Sequence, residues 1–398
     1  MTNPFEASAS ALGYFYQVRL ALFLLINEGK RRPALEITIE GLDDIVFEHE
    51  GAAVELIQSK FHIQSTASLT DRSEDLWKTL RVWSHHIKEG AISATDTLFT
   101  LFTTANAPVG SAASLLRHDP NRNTTVAREK LEQVAGEESN TANLPGYRAF
   151  MALTPSQRQE LVSNIRMLDH AASVTNVMDN AIGEFQLVTR PQFLTQVYER
   201  VEGWWFNRVL KHLTREYQGS ILFQELQDQV HLVQEQFQPE NLPIDFSSIP
   251  DIAEDQLPEE ERIFVEQLRL ILVSEPRIQK AISDYYRAYC QRSKWVREDL
   301  LLVGELDEYE AKLVDEWERR FLIIQEGIDA GAPETIRQSG GKKLYQWVEM
   351  DLPSNPSLYI RPRCTESYVI RGSYHLLANR LEVGWHLDFA ARLQHLLK

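Results

Sequence analysis

The chain has 398 residues, two cysteines and a formal charge of −16, from 57 acidic against 41 basic side chains. Its hydrophobic fraction of 43% and charged fraction of 25% are those of a soluble globular protein with length for two or three domains, and two cysteines exclude a disulfide framework and suit a reducing cytoplasm. The N-terminus lacks a basic-then-apolar leader, the apolar run 20–26 is far too short to span a bilayer, and the acidic balance excludes strong autonomous binding to duplex nucleic acid, which rests on Lys and Arg neutralising phosphates.

The first predicted element is a helix over 8–26. Gly13, Tyr16, Gln17, Leu20 and Leu24 fall on one stripe, so Gln17 is a polar residue in a core-facing row. A buried amide must find partners. Strands follow over about 36–60. Residues 44–47 and 54–60 are expected to pair as a hairpin with its turn at Glu50-Gly51. Side chains alternate along a strand, so Gln58 and Lys60 share one face, and the hairpin brings Asp44 beside them.

A lone acid followed by Gln-x-Lys is what a metal-dependent phosphodiesterase of the PD-(D/E)xK type needs. Mg²⁺ or Mn²⁺ takes hard oxygen ligands. Asp44 is the expected main ligand and Glu40 a further one, with the Gln58 amide oxygen and the Ser59 carbonyl as neutral donors. Lys60 would orient the attacking water and stabilise charge on the phosphoryl group. Gln in place of a second carboxylate removes a negative charge and shifts reliance to Glu40, Asp43 or a substrate phosphate.

Further along, a helix over 73–87 carries Leu76, Leu80, Trp83 and Ile87 on one face, and 97–104 reads as a central strand. Residues 109–146 read as helical pieces and loops. Thr154-Pro155-Ser156 opens a helix to about 167, a short strand is expected at 185–189, and a long helix follows Pro191 to about 217. Its Trp204-Trp205 pair is a core contact or a base-stacking platform. Residues 236–261 hold four prolines and a heavy acidic excess, which predicts a linker. Beyond it, 293–325 has helical spacing with Trp295, Leu302, Leu306, Tyr309, Leu313 and Trp317 as a buried stripe. Arg361, Arg363, Arg371, Lys342 and Lys343 are basic positions that suit phosphates, a partner's acids or solvent. No P-loop, G-x-S-x-G, H-E-x-x-H or C-x-x-C pattern occurs. His85 and His86 face different directions, and His62 lies on the Lys60 face if the strand continues.

Two resemblances extend this reading. Gly13-Tyr14-Phe15-Tyr16-Gln17, Ile39-Glu40-Gly41-Leu42-Asp43-Asp44 and Ile57-Gln58-Ser59-Lys60-Phe61-His62 resemble the double-stranded DNA endonuclease domain of bacterial antiphage systems, including CBASS-associated effector nucleases. That resemblance implies that Gln17 closes the site, that Glu40 and Asp44 bind metal, with Asp43 as a substitute for Asp44, and that Gln58 and Lys60 form the Q-x-K half. The segments 292–301, 313–321, 361–364 and 368–379 are similar to the C-terminal domain of effectors in ABC-three-component defence systems. Those systems imply an ABC-type ATPase and a small middle component as partners.

The expected architecture is therefore a restriction-endonuclease-like α/β domain with a helical extension over 1–235, a linker over 236–261, and a mainly α-helical assembly domain over 262–398. The expected function is a cytoplasmic, Mg²⁺- or Mn²⁺-dependent DNA endonuclease effector acting on double-stranded DNA, with self-association left open and no membrane partner. The rival is a catalytically inactive adaptor that docks the ATPase; RNA cleavage keeps the same metal chemistry.

Overall fold

The computed structural model describes residues 8–62, 67–137, 140–169, 174–258, 261–329 and 331–397. The chain divides into two compact units, Met1–Gln234 and Glu235–Lys398. The first is α/β and the second is mostly helical.

The first unit begins with α1 (Ser8–Gly29), followed by β1 (Glu36–Ile39), β2 (Ile45–His49) and β3 (Ala52–Lys60), an antiparallel meander. The β2–β3 turn falls at Glu50-Gly51, as the spacing predicts. Both residues have positive φ, +53° and +76°, the twist-matched geometry of a two-residue hairpin, which glycine adopts without steric cost. α2 (Glu74–Lys88) then crosses over the sheet to β4 (Leu98–Thr103), which pairs parallel to β3; a parallel neighbour requires such a crossover. α3 (Thr124–Glu137), α4 (Leu144–Met151) and α5 (Pro155–Asn164) lead to β5 (Ile165–Leu168), parallel to β4. After α6 (Val174–Gly183) and α7 (Leu194–Leu213), the two-residue β6 (Ile221–Leu222) pairs with β1, and α8 (Phe223–Glu235) ends at the boundary between the units. The strand order is β5-β4-β3-β2-β1-β6.

One face of the sheet packs on α2 through a core that includes Val46, Leu56, Trp77, Trp83, Phe99 and Leu101. Leu76, Leu80, Trp83 and Ile87 are all buried on α2, the stripe expected for it. α1, α6 and α7 form a second packed group. Trp205 is fully buried, and its indole donates to the Val18 carbonyl at 2.8 Å, so it joins α7 to α1 and offers no platform for a base. Two expected elements differ. The helix from Pro155 stops at Asn164 because the β-rich Ile165–Leu168 joins the sheet edge. Residues 185–189 are not a strand but consecutive turns, with Val188 and Thr189 N–H groups donating to the Phe185 carbonyl.

The second unit contains α9 (Ile263–Leu270), α10 (Glu275–Arg297), α11 (Glu305–Glu326), α12 (Glu334–Met350), α13 (Ser367–Asn379) and α14 (Phe389–Leu393). α13 lies against α10 so closely that a Cβ at Gly372 would stand 2.1 Å from the Asp284 carbonyl oxygen, which reserves that position for glycine. The expected continuous helix over 293–325 is two helices. The chain turns at Asp299 and Gly304, both left-handed, and Leu302 is exposed in that turn, whereas Trp295, Tyr309, Leu313 and Trp317 are buried as expected.

The proline-bearing stretch expected as a linker is laid along α10. Lys280, Arg287 and Lys294 recur every seven residues on one side of that helix. They meet Asp251 at 3.0 Å, Asp251 at 3.5 Å and Asp245 at 3.1 Å. The Pro243 carbonyl accepts from Trp295 Nε1 at 2.7 Å and from Gln291 Nε2 at 3.1 Å. Asp245 and Asp251 are therefore matched to a basic stripe, and Glu254 pairs with Arg269 of α9 at 2.6 Å; Glu259 and Glu260 lie outside the described residues.

Candidate functional site at the end of strand β3

The loop between β1 and β2 closes on itself through the Glu40 N–H, which donates to the Asp44 carbonyl at 3.1 Å. Glu40 holds φ +56°, a conformation that costs a non-glycine residue on the order of 1–3 kcal/mol and persists where surroundings fix it. Gln17 supplies that fixing. It is 5% exposed, and its amide donates to Glu40 Oε1 at 3.0 Å and to the Asp44 carbonyl at 2.7 Å. The polar residue in the apolar stripe of α1 is thus the staple between that helix and the acidic loop.

Asp44 Oδ2 accepts from the Ser59 N–H at 2.8 Å and the Ser59 hydroxyl at 3.2 Å. Its other oxygen engages no hydrogen bond among the described residues. Ser59 shares its strand face with Phe61, which stacks on Tyr16 of α1 at 5.0 Å. By the pleat, Gln58, Lys60 and His62 leave the strand on the opposite side, toward α2, and His62 Nε2 lies 2.8 Å from Asp75 Oδ2 of that helix. Asp43 belongs to the α2 side. Its Oδ2 accepts from Trp83 Nε1 at 2.6 Å and its Oδ1 from the Asp44 N–H at 2.9 Å. Burial pushes the Asp43 carboxyl up to about 7, against the opposing pull of the Trp83 N–H and of the Lys60 charge.

The expected residues therefore divide between two faces of one strand end. Gln17, Glu40, Asp44 and Ser59 are joined by hydrogen bonds on the α1 side, while Gln58 and Lys60 stand on the α2 side with Asp43. Gln58 is 5% exposed. Among the described residues no hydrogen bond engages its side chain, and neither a hydrogen bond nor an ion pair engages the Lys60 ammonium. Carboxylate and backbone oxygens are the hard donors that Mg²⁺ or Mn²⁺ takes; Asp44 keeps one oxygen open for such an ion on the α1 side, next to Glu40 and Ser59, while the Gln58 amide stands on the other face and not beside Asp44 as the hairpin spacing predicts. Among the described residues no group of three or more His, Cys, Asp or Glu could hold a metal. The donor set at the end of β3 mixes carboxylates with neutral oxygens.

Trp83 and Asp75 are the residues sequence reasoning missed. Trp83 reads as one more apolar residue of an amphipathic face, and its indole N–H toward Asp43 carries no spacing signal. The basic positions of the second unit are not an open patch. Arg361 binds Glu305 at 2.7 and 2.8 Å and the carbonyls of Leu300 and Asn241, Arg371 binds Asp284 at 2.6 Å, and Arg363 meets Glu235 at 3.3 Å. Lys342 and Lys343 are exposed.

Among the described residues no helix is long and apolar enough to cross a membrane. No curated protein matches the chain. Among solved structures, the chain is similar to the Moraxella osloensis Cap4 SAVED/CARF-domain containing receptor, with 14% identity and a TM-score of 0.35 over 64% of this chain and 60% of that one. It thus spans less than two thirds of that receptor's length. Residues 264–393, which run from α9 through α14, match the family model of C-terminal domain 7 of the ABC-three component (ABC-3C) systems.

Proposed function

We propose that the chain is the effector of an ABC-three-component antiphage defence system, and that its first unit is a restriction-endonuclease-like, Mg²⁺- or Mn²⁺-dependent endonuclease acting on double-stranded DNA. The match over 264–393 supports the defence role. The observation that carries the nuclease reading is the end of β3, where an amide and an ammonium group stand beside an acidic loop with no hydrogen bond to hold them among the described residues. Lys60 is half-buried, and donors left without protein partners at the mouth of such a site are available to a phosphate or a water.

In this reading Asp44 and Glu40 hold the cation on the α1 side with the Ser59 carbonyl as a neutral donor, and Gln58 and Lys60 meet the substrate from the α2 side. The bound ion would polarise a phosphoryl oxygen and acidify a water. Lys60 orients that water and stabilises the charge that develops on the phosphoryl group. Gln17 fixes the acidic loop against α1, and Asp43 sets the local charge beside Lys60. With a net charge of −16, phosphate neutralisation over a length of duplex falls to the ABC-type ATPase and the small middle component, and the chain alone is a weak nuclease. Plasmid cleavage by the reconstituted assembly with Mg²⁺ or Mn²⁺ tests the assignment. Lys60→Ala and Asp44→Ala should each slow cleavage by about 100-fold or more; undiminished cleavage by both variants refutes it.

A further inference from the structure

Glu55 is a buried acid that the proposed chemistry does not use. It is 8% exposed, and burial holds its carboxyl above the ordinary range. Oε1 accepts from the Thr100 hydroxyl at 2.5 Å, and no hydrogen bond among the described residues engages Oε2. The side chain lines a cavity of about 310 Å³ on the face of the sheet that carries Phe47 and Ile57, with walls from Leu24, Phe47, Ile57 and Phe102. Glu28, Arg166 and His118 also line it. Glu28 is neutralised by Arg31 at 3.6 Å and Arg32 at 3.9 Å, whereas Arg166 and His118 are exposed, and neither makes an ion pair or side-chain hydrogen bond among the described residues.

The strand register fixes the arrangement. Ile57 pairs with Thr100 and Thr100 with Arg166, so Thr100 lies between the acid-bearing strand and the arginine. β3 and β5 are two strand spacings apart, roughly 9–10 Å. A ligand that satisfies both ends needs a hydrogen-bonding edge for Glu55, a flat apolar body for the walls and an anionic group for Arg166. An inorganic anion would be repelled by Glu55, a metal ion by Arg166, and a lipid tail would leave the acid unanswered. The volume sits at the small end of the roughly 300–1,000 Å³ typical of ligand pockets.

We propose that this cavity binds a single nucleotide, with the edge of its base on Glu55 and its phosphate on Arg166. The nucleotide comes either from the free pool or as one unit of a single strand. The site is separate from the end of β3 and does not need the nuclease reading to hold.

The test is calorimetry on the full chain in EDTA, which silences metal chemistry. Probes are the four deoxynucleoside 5′-monophosphates, their nucleosides, inorganic phosphate and a short single-stranded oligonucleotide. At least one monophosphate or the oligonucleotide should bind, and whichever does identifies the source. Glu55→Gln should weaken that binding at least tenfold. Arg166→Ala, at an exposed position that leaves the fold intact, should reduce a monophosphate to the affinity of its nucleoside. Asp44→Ala and Lys60→Ala should bind as wild type does, which separates this site from the proposed nuclease centre. Absence of binding by every nucleotide probe at millimolar concentration would overturn the proposal. So would inorganic phosphate binding as tightly as the best nucleotide, or affinities unchanged in both the Glu55 and Arg166 variants.

Discussion

The end of β3 and the arginine-bearing helices of the second unit look equally polar in sequence, yet their side chains finish in opposite states. In the second unit the charged groups are engaged internally. Arg292 is buried against Glu310 and donates to the Ser373 hydroxyl at 3.2 Å, Arg380 reaches the same Glu310 at 2.6 Å, and Arg361 ties Glu305 to two carbonyls. At the end of β3, Gln58 and Lys60 have no such partners among the described residues, and Asp44 keeps one oxygen open. Polar residues of a motif therefore serve two purposes. Where each donor has its acceptor they hold helices together, and where donors and acceptors stand open beside one another they are available for a ligand.

Substitutions can break or sharpen that contrast. The largest effect belongs to Lys60→Ala, with cleavage slowed by about 100-fold or more and a melting temperature within about 2 °C of wild type, because no partner is orphaned; unfolding of this variant would move Lys60 into the structural class. Arg292→Ala should cost about 1–3 kcal/mol in chemical denaturation, since it leaves the Ser373 hydroxyl without its donor and Glu310 with Arg380 alone; a cost below about 0.5 kcal/mol would show that the pair is dispensable. Gly372→Ala should cost about 1–3 kcal/mol by forcing α13 from α10, read in the same experiment.

His375 gives a smaller, pH-dependent effect. It is packed against Phe264, Tyr345 and Trp385, and burial, with the Arg371 charge, pulls it from 6.5 down to about 3. Above pH 6.5 both folded and unfolded chains hold it neutral. As pH falls the unfolded chain takes up the proton first, so stability declines between about 6.5 and 3. His375→Phe should flatten that decline in thermal melts across the range; an unchanged slope would assign it to other groups. The smallest effect is that of Arg363→Ala, whose exposed pair with Glu235 should shift the melting temperature by less than about 1 °C.

Much of the first unit was legible because its signals are local. The Glu50-Gly51 turn, the alternation through Gln58 and Lys60 and the apolar stripe of α2 each follow from spacing within a few residues, and the polar Gln17 stood out against its own row. What spacing does not carry is the direction of side chains in a loop. Asp43 and Asp44 are neighbours, yet one turns to Trp83 and the other to Ser59, a choice set by partners 40 and 15 residues away. The stretch 236–261 reads as a linker for a similar reason: Asp245 and Asp251 are matched to Lys280, Arg287 and Lys294, 29 or more residues further along the chain. Leu302 fits a helical period that ends before it, because the left-handed Asp299 and Gly304 break the helix.

The most direct test of the metal site is a Mn²⁺ titration of the purified chain, independent of any activating partner. Wild type should show binding that Asp44→Ala abolishes and Glu40→Gln weakens, with Arg361→Ala indistinguishable from wild type. Absence of Mn²⁺ binding, or binding unchanged in Asp44→Ala, would contradict it.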